Sequence, residues 1–175
     1  PLGNQLFTEI PILVSQGVHS VIKWKGLPLF KTIFDLNIYS MIIEEFKPDT
    51  IIELGSGAGA SALWLSDMCK AMNLNTHVYS FDINLPAIKN DNITFIKSNF
   101  NDVENLFNKS FHGKKIVIED AHVNVANLLK EIDSILTKDD YLIIEDSMAK
   151  QDIIKTLNED KYKLDQFYLD FFGTN

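Results

Sequence analysis

The segment TIIELGSGAGASALWLS, residues 50–66, runs from an apolar stretch through Gly55, Gly57 and Gly59 into a helix-forming stretch. A strand that leaves through alternating glycines into a helix turns a corner typical of the carboxyl edge of open parallel sheets. Glycine suits such a corner because it reaches positive φ and lets another group approach the backbone closely. The helix that follows offers free N–H groups to whatever lies against the turn. No Gly-Lys-Ser/Thr follows, so the turn is not a triphosphate-binding loop of the Walker type.

Four more runs repeat the strand signal, at residues 77–81, 93–96, 115–119 and 141–145. They are almost continuously apolar rather than alternating, as parallel strands buried on both faces require. Helical stretches lie between them at 60–72, 123–136 and 150–158, with a shorter one at 101–108. Strands alternating with helices predict an α/β fold, Rossmann-like and doubly wound, with a mainly parallel sheet. An N-terminal helical segment precedes it. Over residues 33–46, Phe34, Ile38, Met41, Ile42 and Phe46 share one helix face. Lys47-Pro48-Asp49 then ends that helix and admits the first sheet strand.

No linker or repeat divides the chain, so one domain over residues 4–175 is expected. Pro1-Leu2-Gly3 is set aside as a protease scar. Residues 162–172 read as a last strand with no clear return hairpin after it, so the C-terminal hairpin is expected to be truncated or replaced.

Composition narrows the partners. The net charge of −8 argues against a nucleic-acid partner, which calls for clustered Lys and Arg. The single cysteine, Cys69, excludes an internal disulfide and a Cys-rich zinc site, and its helical context reads as a packed thiol. No apolar run reaches the ~18 to 20 residues of a membrane span, so the expectation is a cytoplasmic protein with no membrane partner. The aromatic tail, Phe167, Tyr168, Phe171 and Phe172, suits either a final core strand or a contact in a homo-oligomer.

The glycines alone leave the ligand open. Gly55, Gly57 and Ala60 also satisfy the dinucleotide pattern G-x-G-x-x-G/A. Glu53, two residues before Gly55, is awkward beside a pyrophosphate and useful beside the α-amino group of a sulfonium amino acid. Asp82 ends the second sheet strand, near the ~20-residue offset of an acid that holds ribose hydroxyls.

With these residues the chain resembles the class I S-adenosylmethionine methyltransferases. More narrowly it resembles the cephalosporin hydroxylase family, to which the macrocin O-methyltransferases are related. Trp24-Lys-Gly-Leu-Pro-Leu-Phe-Lys31, followed by Asp35 and Tyr39, matches the family's N-terminal signature, and Lys47-Pro-Asp-Thr-Ile-Ile-Glu53 its entry into the first sheet strand. The resemblance implies S-adenosylmethionine as cofactor. The positions that would hold it are Glu53, Gly55, Ser56, Gly57, Gly59, Ser61, Asp82, Asn99 and Asp120.

Two strands, IVIEDAH (116–122) and YLIIED (141–146), end in paired carboxylates. Adjacent parallel strands would bring both pairs to one edge beside the glycine turn, where hard oxygen ligands suit Mg²⁺. The resemblance implies Asp120, Glu145 and Asp146 as metal ligands and His122 as base, with Asp120 counted among the catalytic residues. The family spaces that Asp and His three apart, here they are two apart, and Glu119 is the alternative ligand. The plainer readings are a hydrogen-bonded loop histidine and acids that cap the next helix. Lys31 and Asp35 either close over the site or pair on a helix surface.

The expected function is a Mg²⁺-assisted, S-adenosylmethionine-dependent O-methyltransferase. Its acceptor would be a hydroxyl of a small molecule: a sugar, a surface-saccharide precursor or a secondary metabolite. The rivals are an NAD-dependent oxidoreductase and a methyltransferase-like binding module without catalysis.

Overall fold

The computed structural model describes residues 22–100, 107, 110–121 and 125–170, the backbone alone at 148, 169 and 170. A small antiparallel hairpin comes first, β1 (Lys23–Trp24) and β2 (Leu27–Pro28). Its turn residues Lys25 and Gly26 have φ of 48° and 84°, the paired positive values of a type I′ turn. Helix α1 (Ile33–Phe46) follows. A capping box starts it: the Asp35 N–H donates to Thr32 Oγ1 and the Thr32 N–H donates to Asp35 Oδ2. Asp35 is thereby a capping residue and not a partner for Lys31.

The main sheet holds β3 (Thr50–Leu54), β4 (His77–Asp82), β5 (Ile93–Lys97), β6 (Lys115–Glu119) and β7 (Tyr141–Ile144). All neighbours are parallel, in the order β5-β4-β3-β6-β7. The chain winds outward from β3 to one side and then to the other, so the crevice between β3 and β6 is the switch point. Helix α2 (Ala60–Ala71) follows β3, α3 (Val125–Ile135) follows β6 and α4 (Ser147–Ile154) follows β7.

Alternation along each strand sorts the core into two layers. Ile51, Val78, Ile116 and Ile118 point to one face, where Tyr39, Ile42 and Ile43 of α1 and Leu63, Trp64 and Cys69 of α2 cover them. Ile52, Leu54, Phe81 and Val117 point to the other, under Leu128, Leu129 and Ile132 of α3. Cys69 is a buried, unpaired thiol, as its helical context predicts. On α1 the fully buried positions are Tyr39, Ile42 and Ile43, while Ile38, Met41 and Phe46 pack at the margin of the same core.

Two sequence expectations need correction. Helix α4 begins at Ser147, three residues before the expected start at 150. The expected strand at 162–172 is not one over its described residues: 162–165 are irregular and Gln166–Asp170 form a short helix, α5, while Phe171 and Phe172 lie outside the described residues. Aromatic content suggested a strand, but the tail is held by side chains rather than by a ladder. The Tyr168 hydroxyl donates to Glu45 on α1, and the Tyr141 hydroxyl donates to Asp165. The helical reading of 101–108 lies outside the described residues except for Phe107, which sits in a turn. No helix among the described residues is long and apolar enough to cross a membrane.

Candidate functional site

Register builds the site. Leu54 pairs with Phe81 and with Glu119, and Glu119 pairs with Ile144. One residue further along each strand, Asp82, Gly55, Asp120 and Glu145 therefore form a single row across the carboxyl edge. Backbone bonds continue the row: Gly55 N–H donates to Phe81 O, Asp120 N–H to Leu54 O and Glu145 N–H to Glu119 O, each at 2.9 Å. Because side chains alternate, this row and Glu53, two positions back from Gly55, face the α1 side.

Gly55 has φ of 111°, and a Cβ there would lie 2.5 Å from the Asp120 carbonyl oxygen. Only glycine lets the two strand ends come so close. Gly55→Ala is expected to cost about 2 kcal/mol from backbone strain and overlap together. A lowered urea midpoint with an unchanged slope checks it.

Glu53 is fully buried. Its Oε2 accepts from the Ser80 hydroxyl at 2.5 Å, and Ser80 in turn lies 2.5 Å from the Ser56 hydroxyl. With Ser80 donating to Glu53, Ser56 must donate to Ser80, which commits the Ser56 hydroxyl inward. Glu53 Oε1 has no hydrogen-bond partner. Ser61 lies beside the carboxylate and favours its charged form without giving Oε1 a partner. Burial pushes the Glu53 carboxyl up, against the pull of Lys31. A group whose folded pKa exceeds its ordinary 4.5 holds its proton longer in the native state, so stability is lost as pH rises through that interval. Relative to Glu53→Gln, the wild type should lose stability from about pH 4.5 upward and regain it below. Urea titrations of both proteins across pH measure this difference. A buried, half-unsatisfied carboxylate is a cost to the fold, and such costs persist where a ligand group completes the bonding.

Asp82 is oriented by the turn it faces. Its Oδ2 accepts from Gly57 N–H at 2.9 Å and its Oδ1 from Asn84 N–H at 3.0 Å. Asn99 lines the same cavity, which has a volume of about 1670 Å³ and includes Gly55, Ser56, Gly57, Ser61, Asp120, Glu145 and Asp146 in its wall. Gly59, at φ 80°, takes the N-cap position of α2 and packs against Pro86 and Ile88 rather than lining the cavity.

The two carboxylate pairs divide. Glu119 points to the opposite face, where Lys150 of α4 donates to its Oε2 at 2.7 Å and Ala121 N–H to its Oε1 at 3.1 Å. Asp120 and Glu145 instead share one cation, the ammonium of Lys31, which donates to Asp120 Oδ2 and Glu145 Oε2 at 2.6 Å each. The Tyr39 hydroxyl donates to Glu145 Oε1 at 2.5 Å. Lys31 is 5 % exposed. Burial works against its charge, but Glu145, Asp120 and Glu53 outweigh burial and hold its pKa above the ordinary value. Glu145 is raised, first by burial and then by Asp120, with Lys31 pulling the other way. Tyr39 is raised by burial and by Glu145, which keeps it a neutral donor.

Asp146 has the left-handed φ of 50° at the N-cap of α4, yet its side chain makes no capping bond. The capping role open to it from sequence is therefore not the one it takes, and its exposed carboxylate borders the cavity. Among the described residues no three His, Cys, Asp or Glu side chains converge closely enough to hold a metal ion. The donor set is nonetheless built for a cation: two acids already share one, held from the neighbouring loop. His122 lies outside the described residues.

Sequence reasoning missed Lys31 and Tyr39 as partners of Glu145 and Lys150 as the partner of Glu119. Each contact spans tens to more than a hundred residues, and no local spacing marks it. The available signal was the N-terminal signature itself, which contains both Lys31 and Tyr39.

A five-stranded parallel sheet with a glycine turn and an acidic edge at its switch point is the architecture of a Rossmann-like methyltransferase. The chain belongs to the rhamnosyl O-methyltransferase/CmcI family, whose model matches residues 16–165. It is 31 % identical over 137 residues to a rhamnosyl O-methyltransferase of Mycobacterium leprae strain TN, a match that spans 71 % of this chain and 59 % of that protein. The SAH structure of CmcI aligns with a TM-score of 0.71 at 28 % identity, over 84 % of this chain and 74 % of that one. The Mg-SAM structure of CmcI aligns with a TM-score of 0.70 at 28 % identity, over 89 % and 72 %.

Proposed function

We propose that residues 4–175 form one methyltransferase domain that transfers a methyl group from S-adenosylmethionine to a hydroxyl of a small molecule, with Mg²⁺ assisting. The observation that carries this reading is the single register row in which Gly55, Asp120 and Glu145 stand side by side at the switch point. The glycine turn and this acid pair line one cavity, which supports reading them as the cofactor turn and the metal-holding acids. The relative named as a rhamnosyl O-methyltransferase favours a sugar hydroxyl as acceptor, with surface-saccharide precursors and secondary metabolites as the wider class.

When bound, S-adenosylmethionine supplies an electrophilic methyl group and Mg²⁺ supplies Lewis acidity toward the acceptor hydroxyl. The chain's own residues do the positioning. Glu53 does not line the cavity, and its unpartnered Oε1 would accept from an α-amino group that reached it, which would relieve the orphaned atom. Gly55 and Gly57 leave the turn without a side chain at those two positions, and Asp82, held by two backbone N–H groups, keeps lone pairs for ribose hydroxyls. Asp120 and Glu145, with Asp146, would hold the metal. His122, two residues past Asp120, is the proposed base, since a histidine pKa lies near working pH. Transfer in line with the sulfonium needs little covalent help, so holding nucleophile and donor together supplies most of the catalysis.

Calorimetry with S-adenosylhomocysteine tests the reading. Micromolar binding is expected, with a loss of about tenfold or more in Glu53→Gln from one charged hydrogen bond. Absence of binding at high micromolar ligand, together with binding of NADH, would select the oxidoreductase instead. Binding without turnover across a panel of sugar and metabolite acceptors would select the non-catalytic module.

A further inference from the structure

Among the described residues, Lys31 is a buried charge in the cavity wall that the proposed chemistry does not use. Its ammonium stands 2.6 Å from both Asp120 and Glu145, the two acids to which the metal is assigned. Glu145 has no idle oxygen, since Tyr39 takes the other. An ammonium and a divalent ion on the same two carboxylates would repel at contact range, in a place that water scarcely reaches. One cation must yield to the other.

The charge count says which way the exchange runs. Asp120 and Glu145 together carry two negative charges when ionised, and Glu53 adds a third that Lys31 also feels. A single ammonium leaves the pair with one uncompensated negative charge, whereas a divalent ion neutralises it. Lys31 can yield without unfolding anything. It sits between β2 (Leu27–Pro28) and α1 (Ile33–Phe46), beside the half-exposed Phe30, and its charge rides on a flexible four-carbon stem. The capping box at Thr32 and Asp35 anchors the backbone one residue further on, so the side chain can swing while the helix start stays put.

We propose that Lys31 is a built-in competitor for the metal: its ammonium holds Asp120 and Glu145 together in the metal-free protein and leaves them when Mg²⁺ binds. The inference rests on the proposed metal role of these two acids. Lys31 thus keeps the acid pair from flying apart, and it sets the apparent metal affinity by the fraction of molecules in which it is displaced.

Two measurements test it on the whole protein. In the first, the wild type is treated with an amine-acetylating reagent at rising Mg²⁺, and modification of Lys31 is followed by mass spectrometry. Lys31 should be protected without metal and become reactive in step with Mg²⁺ binding measured by calorimetry. In the second, Lys31→Met should bind Mg²⁺ on the order of tenfold more tightly, because the seated state that taxes the wild type is gone. Mg²⁺ binding with Lys31 still protected overturns the proposal and leaves the metal reading standing. So does an affinity in Lys31→Met no better than wild type. Absence of Mg²⁺ binding in both proteins overturns the metal reading and the proposal together. The wild-type footprint needs no variant, so it decides the matter even if Lys31→Met folds poorly.

Discussion

Lys150→Met is expected to destabilise the protein by about 3 kcal/mol, measured as a drop in the urea midpoint. Glu119 is 0 % exposed, and Lys150 is its charge partner at 2.7 Å. Removing the ammonium leaves a carboxylate in a dry layer with only the Ala121 N–H for company. The cost falls at the low end of the range for broken buried pairs because Glu119 can take up a proton. Burial already raises its pKa against the pull of Lys150. The double variant Glu119→Gln/Lys150→Met should recover more than half of the loss, since no charge then needs a partner and Ala121 keeps its acceptor. A stability loss as large in the double variant would mean that Lys150 acts through packing alone. The pair matters to the site because it ties the end of β6 to α4, the helix that begins beside Glu145 and Asp146.

Glu145→Gln should lower the proposed methyl transfer by about 10² to 10³-fold, with S-adenosylhomocysteine affinity changed far less. The amide keeps the shape and can still accept from Tyr39, but it gives up half of the charge that holds the shared cation. Asp120 lies next to Gly55 and close to the cofactor turn, so Glu145 separates the cation from the cofactor more cleanly than Asp120 does. A fall in cofactor affinity that matched the fall in rate would place Glu145 in cofactor binding. Full activity in Glu145→Gln would remove the metal-assisted mechanism.

The strands were legible because their signal is local. Residues 50–54 and 115–119 match β3 and β6 to the residue, and 33–46 matches α1. Continuous apolar runs bounded by charged or glycine residues leave little choice of end. Less legible were segments whose state depends on distant partners. The tail carries strand-like residues, yet over its described part, 162–170, contacts with Glu45 on α1 and with Tyr141 on β7 decide its path. The hairpin at Lys23–Pro28 rests on a Lys-Gly turn too short to stand out within its signature.

Within the site, the sequence by itself determined that a glycine turn follows a buried strand, that Glu53 precedes it and that two strands end in Glu-Asp pairs. It could not say which acid of each pair faces the cavity. The pairs look alike in the chain, but they stand out of phase in the sheet. Register sets Glu119 beside Ile144 and hence Asp120 beside Glu145, and a one-residue slip would have reversed every side chain. Only the tertiary structure decided this, together with the identity of the counter-charges: Lys150 for Glu119, and Lys31 for Asp120 and Glu145. Strand propensity and glycine geometry are short-range properties that the chain carries locally. Pairing of charges across the layers depends on where folding brings α1 and α4, and no local spacing records that.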